Sequence, residues 1–144
     1  MKKMNNKGFS LVELIIVIAI MAILIAVLAP QYIKYVEKSR RSADLDNYQA
    51  IINAVQTAFA DEDYNNSLSA VTNFQVKGTK GASIQLTGTP GNMSAVLQDL
   101  GVDITAIKTK SSLYGNATLS VSVTNGIVKI TCSDASLKKE LGLN

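Results

Sequence analysis

Apolar and polar residues follow three regimes along this chain. From Leu11 to Ala29 every position is Ile, Leu, Val, Ala or Met except Glu13. Further on, Tyr48, Ile51, Ile52, Val55 and Phe59 recur at helical spacing, while Ser42, Asp44, Asp46, Asn47 and Gln49 supply a polar side. No Gly occurs between Gly8 and Gly78, and Pro30 is the only Pro in that interval. The pattern predicts one helix from Ser10 to Ala60, about 75 Å long at about 1.5 Å per residue. Its apolar stripe is the natural face to pack on a sheet.

The third regime begins at Thr118, where apolar and polar residues alternate through Ser133. Asn125-Gly126 is the favoured pair for a type I′ turn. Closing a two-residue loop there sets Val123 opposite Val128, Val121 opposite Ile130 and Leu119 opposite Cys132. Those six share an apolar face, and Ser120, Ser122, Lys129 and Thr131 point the other way. Ser133-Asp134 caps a final helix over Ala135–Leu141, closed by Gly142. Between the long helix and this hairpin the pattern is weaker. Asp61-Glu62-Asp63 ends the helix; acids at a C-terminus oppose the dipole, so fraying into a solvated turn is expected. Residues 65–92 read as a connecting loop with short strands near Phe74–Val76 and Ser83–Leu86. Met93–Leu100 reads as a short helix ending before Gly101, and Ile104–Thr109 fits neither pattern. The resulting class is α+β, a long N-terminal helix on a small antiparallel sheet.

The first regime has the length of a membrane span, since a bilayer core takes roughly 17–25 apolar residues. It carries no second polar residue for a channel or relay, so it reads as a single anchor. A cleaved secretory signal fits less well. Val27 and Ala29 have the small side chains of a cleavage site, but Pro30 follows, and the run exceeds the roughly 7–15 residues of a signal core. Glu13 is the informative exception. A carboxylate within a membrane helix is costly and points to function. Ser10-x-x-Glu13 also fits a capping box, in which hydroxyl and carboxylate satisfy the first free N–H groups. A cap can use Gln equally well, so a charge here asks for a cationic partner.

Composition narrows the choice further. Lys2, Lys3 and Lys7 precede Phe9; removing them from the 14 basic residues leaves 11, against 11 acids. No basic field marks nucleic acid as the evident partner. Lys34, Lys38, Arg40 and Arg41 form a local basic group whose plain reading is a solvated helix face, and it leaves the anchor's orientation undecided by charge. The chain has no His, which removes the commonest general base and a common metal ligand. Gly78-x-x-Gly81 lacks the strand–turn–helix setting of a phosphate loop. Asp61-Glu62-Asp63 lacks the alternating oxygen ligands and glycine of a calcium loop. No catalytic residue, metal site or cofactor is expected. Cys132 is the only cysteine, so no intrachain disulfide can form, and its place on the inner face makes it a small buried hydrophobe. The Asn-x-Ser/Thr triplets at Asn65, Asn92 and Asn116 are taken as chance.

Lys7-Gly8-Phe9-Ser10-Leu11-Val12-Glu13-Leu14, with its basic leader and long apolar run, closely resembles the type IV pilin family. The resemblance rests on about the first 30 residues. It implies the type IV pilin fold and a division into a leader at 1–8, a membrane and filament-core half-helix at 9–30, an amphipathic half-helix at 31–60 and a sheet domain at 61–144. It implies cleavage between Gly8 and Phe9 by an aspartyl prepilin peptidase and N-methylation of Phe9. It further implies a pair between Glu13 and the Phe9 amine of a neighbouring subunit, and a helix kink at Pro30. The implied partners are copies of the same chain in a helical filament, the cytoplasmic membrane before assembly, a platform protein and an assembly ATPase. Filaments of this kind serve adhesion, surface motility or DNA uptake. Many pilins of Gram-negative bacteria staple the C-terminal region with a disulfide; its absence here suggests a Gram-positive source. A pseudopilin of a secretion or competence system shares the whole N-terminal motif and is the nearest alternative. A membrane-tethered binding module that never polymerises is the next.

Overall fold

Helix α1 runs from Leu11 to Ala60 without interruption, as the absence of Gly foretells. Pro30 lies inside it, although its ring removes one helix hydrogen bond and crowds the carbonyl of Ala26. The computed structural model describes residues 8–143, so the predicted leader, apart from Gly8, lies outside them. The chain divides into two units at Val36/Glu37, within α1. In the first unit the apolar side chains from Leu11 to Leu28 are exposed, and this stretch is long and apolar enough to cross a membrane.

The second unit is a four-stranded antiparallel sheet with the rest of α1 packed on it. Its further elements are α2 (Glu62–Ser67), β1 (Asn73–Lys77), β2 (Gln85–Gly88), α3 (Met93–Asp99), β3 (Thr118–Thr124), β4 (Ile127–Cys132) and α4 (Ala135–Glu140). The strand order is β2-β1-β3-β4. The β3–β4 register pairs Leu119 with Cys132, Val121 with Ile130 and Val123 with Val128, as the turn chemistry requires. Asn125 and Gly126 both have positive φ, 52° and 76°, the signature of the type I′ turn. Leu119, Val121 and Ile130 are buried with Tyr48, Ile51, Ile52, Val55 and Phe59 of α1, and Val123, Val128 and Cys132 pack at the edge of that core. Asp134 caps α4, accepting the Leu137 N–H at 2.8 Å, and Leu137 and Leu141 are buried.

The middle of the chain departs from the expectation. Asp61 does end α1, but no frayed turn follows. Asp61 has extended backbone and accepts the Asp63 N–H at 2.9 Å, which makes it the N-cap of α2. Glu62 and Asp63 then sit in the first turn of α2, where the dipole favours them. Within the expected loop over 65–92 the short strand read near Phe74–Val76 is present as β1. β1 alternates exposed and buried residues and pairs with both β2 and β3. The second strand begins at Gln85 rather than Ser83, because Ser83 instead forms an isolated bridge to Lys108.

Gly78 allows the loop after β1 to close against the chain that leads into β3. A Cβ on Gly78 would stand 2.1 Å from the Tyr48 hydroxyl and 2.9 Å from the Gly115 carbonyl oxygen. That hydroxyl donates to the Tyr114 and Ala117 carbonyls at 3.1 and 3.2 Å, so it cannot retreat freely. Gly78→Ala is expected to lower the stability of this unit by about 2 kcal/mol, within the range for overpacking. A denaturant midpoint equal to that of the unsubstituted chain would show that the loop gives way instead.

Candidate functional site

At the start of α1 the local chemistry is a reciprocal cap. The Ser10 N–H donates to Glu13 Oε2 at 2.9 Å, and the Val12 N–H donates to Ser10 Oγ at 3.3 Å. The Leu14 N–H closes the first helical turn on the Ser10 carbonyl at 3.2 Å. The capping-box geometry is therefore formed, with the hydroxyl reaching the second helical N–H rather than the third. Glu13 is folded back on its own helix and remains solvent-exposed.

Gly8 and Phe9 precede α1 outside regular structure, and both are exposed. Phe9 is 87% exposed, and a Cβ on Gly8 would meet nothing within 4 Å. The Gly8–Phe9 bond is thus open, and the chain places Phe9 four residues from Glu13. Pro30 lies well along the same helix, among exposed residues.

A second polar cluster, in the sheet unit, was not legible as such in the sequence. Asp44, assigned above to the polar side of the helix, is 1% exposed. Its carboxylate accepts the Lys110 N–H at 3.0 and 3.1 Å and the Ser111 N–H at 2.7 Å. Two turns earlier, Glu37 Oε1 accepts the N–H and the hydroxyl of Ser112 at 2.6 and 2.5 Å. Three consecutive backbone amides of one loop are therefore held by two carboxylates of α1. The signal available was positional: Asp44 lies one turn before Tyr48, on the stripe that continues through Ile51, Ile52 and Val55. Arg41 adds an ion pair to Glu37 at 3.8 Å, an exposed i,i+4 contact of small worth.

These contacts have titration consequences. The Ser112 hydroxyl and N–H hold the Glu37 carboxyl below its ordinary value of 4.5, with Arg41 and Lys80 helping. A depressed folded-state pKa adds stability above the unfolded value, and that stability is lost as pH falls through the folded one. Stability curves of the chain and of Glu37→Gln should therefore run apart above about pH 5, approach each other below the ordinary carboxylate pKa and meet below the depressed folded-state value. A separation that persists unchanged into acid would contradict this. Burial, with the nearby Asp44 charge second, pushes the Tyr48 phenol well above its ordinary range. Burial likewise raises the Cys132 thiol, in keeping with a packing role. Among the described residues no group of three or more His, Cys, Asp or Glu could hold a metal ion.

The exposed apolar helix, its capped acid and the sheet built on its second half define an α+β subunit with a membrane-length stem. A family model for the prokaryotic N-terminal methylation motif matches residues 3–29. The chain is 34% identical over 104 residues to "Prepilin peptidase-dependent protein A" of Clostridium perfringens, covering 71% of each chain. It is 31% identical over 106 residues to "Fimbrial protein EcpC" of Eikenella corrodens, covering 71% of this chain and 69% of that one. It is 40% identical over 59 residues to "Type IV major pilin protein PilA" of Myxococcus xanthus, covering 41% of this chain and 27% of that one. No solved structure matches. The chain belongs to the type IV pilin family. It is a structural subunit of pilin type and not an enzyme.

Proposed function

We propose that this chain is the precursor of a type IV pilus subunit that waits in the cytoplasmic membrane, is cut and polymerises into a surface filament. The observation that carries the reading is the exposed apolar face of α1 from Leu11 to Leu28, with one capped carboxylate at its start. Such a surface needs lipid around it or other copies of itself. A prepilin peptidase would cut after Gly8, and Phe9 would become the N-methylated terminus. Its amine stays cationic after methylation. In the filament it would take the place that the Ser10 N–H holds at Glu13, on a neighbouring subunit, and so set the axial register. In a low-dielectric bundle the paired charges limit each other's cost, and an unpaired one is much worse. Pro30 would give the helix a local kink, or a stretch that melts, when subunits pack. Removal from the membrane exchanges lipid contacts for helix contacts, and an assembly ATPase acting through a platform protein would supply the work. The division at 1–8, 9–30, 31–60 and 61–144 follows from these roles.

Immunogold labelling of whole cells with antibody to the sheet unit tests the reading. Long labelled fibres that vanish on deletion of the coding sequence are expected. Label confined to short envelope-bound fibres would overturn the pilus reading in favour of a pseudopilin. Label in the membrane with no fibre at all would leave a tethered binding module.

A further inference from the structure

The sheet unit carries a cationic surface where its portion of α1 begins. Lys38, Arg40, Arg41, Lys80 and Lys110 are all exposed. Contacts already described gather Arg41, Lys80 and Lys110 at one end of the unit, where Lys38 and Arg40 neighbour Glu37 along α1. Arg41 and Lys80 both act on the Glu37 carboxylate. Lys110 follows from the loop whose amides are bonded to Asp44, and Ser112 of that loop is bonded to Glu37. Lys80 is fixed beside the same loop, donating its N–H to Asn116 Oδ1 at 3.0 Å. The two carboxylates at this end are occupied, Asp44 by buried amides and Glu37 by Ser112. Among the described residues Arg41 alone of the five cations has a carboxylate within 4 Å. Two further acids, Asp134 and Glu140, act on Tyr114 and share their helix or its cap with Lys138 and Lys139.

We infer that Arg41, Lys80 and Lys110, flanked on either side of the helix by Lys38 and Arg40, form a docking face for anionic lipid headgroups, used while the chain is still anchored. The inference rests on the membrane-anchored precursor proposed above. Glu37 follows Ala29, the last residue of the apolar run, by eight residues. A chain of that length reaches at most about 27 Å even when fully extended, so the anchor holds this face close to a bilayer surface at high effective concentration. The same arithmetic disfavours a soluble polyanion. Without the leader the chain's charges balance, so long-range attraction is weak, and the cations act only within about a Debye length, roughly 8 Å. The basic group that leaves the anchor's orientation undecided thereby gains a role: it grips the headgroups on the side where the sheet unit lies. Because the face includes the loop held by Glu37 and Asp44, that loop would be covered before assembly and released with extraction.

The test uses the full-length chain in vesicles of phosphatidylcholine alone or with phosphatidylglycerol added. Lysines are modified with a membrane-impermeant amine reagent, and each site is quantified by mass spectrometry relative to Lys129 on the exposed sheet face. Labelling of Lys80 and Lys110 is expected to fall about threefold or more in the anionic vesicles and to recover in high salt, while Lys77 is unchanged. Equal labelling in both vesicle types, with the chain floating with the vesicles, would overturn the docking face and leave the anchor intact. Failure to float would overturn both. Protection that ignores lipid charge and appears only in assembled fibres would assign the face to a second copy, and that too would overturn the inference.

Discussion

Replacing Asp44 with Ala is expected to destabilise the sheet unit by about 3 kcal/mol, more than any other single change proposed for it. The side chain is small and polar, so lost apolar burial is minor. The cost comes from the Lys110 and Ser111 amides, whose three short contacts to the carboxylate would vanish. A buried amide left without an acceptor costs about 1–3 kcal/mol. For a unit of this size that corresponds to a fall in Tm of roughly 12–20 °C, measured on the full chain in detergent. Asp44→Asn keeps one acceptor oxygen but loses the charge and gains a donor, so it should fall between Ala and the unsubstituted chain. The loop from Thr109 to Ala117 should also exchange its amide hydrogens faster in both variants. A shift of Tm below a few degrees for Asp44→Ala would show that the loop is held by Glu37 and Tyr48 without it.

Glu13→Gln should remove sheared surface fibres almost completely, by about tenfold or more, while the chain stays folded, membrane-bound and cleaved after Gly8. The cap explains why this substitution isolates the charge. Glu13 accepts the Ser10 N–H through one oxygen, and a Gln carbonyl can accept the same bond. The helix start is therefore preserved, and only the ionic partner for a neighbour's amine is lost. That amine would then be buried unpaired in the bundle, a loss that costs about 3–5 kcal/mol per broken pair. Repeated at every subunit, that cost stops growth rather than weakening it. Fibres at ordinary levels would remove Glu13 from assembly and leave it as a cap. Glu13→Ala is the informative companion. It removes cap and charge together, so a difference between Ala and Gln in membrane level, but not in fibre level, would separate the two roles.

Local chemistry made parts of the fold readable and others not. The hairpin register follows from Asn125-Gly126, because a two-residue turn leaves no freedom once both φ values are positive. The length of α1 follows from a long interval without Gly and with one Pro. β1 was legible only as a short strand near Phe74–Val76, because Phe74 and Val76 alone alternate with Asn73, Gln75 and Lys77 inside a stretch rich in Asn, Ser and Thr. What makes it a strand is its pairing with β3, whose partner residues lie more than 40 positions away. The acids at 61–63 were assigned to the wrong helix end, since nothing nearby announces that Asp61 turns extended and starts a new helix. Asp44 was hidden for the same non-local reason: its partners are main-chain amides 66 and 67 residues away, and backbone groups carry no sequence signal. The site around Gly8, Phe9 and Glu13 is the opposite case. Its members are contiguous, and its meaning rests on charge and membrane length, both visible in the letters alone.

The central claim is that this chain is cut at Gly8–Phe9 and assembled through the new terminus. The most direct measurement is the intact mass and N-terminal sequence of the protein sheared from whole cells. The account predicts a mature chain beginning at N-methyl-Phe9 in the sheared fraction. An uncut chain beginning at Met1, or a processed chain recovered only from membranes, would contradict it.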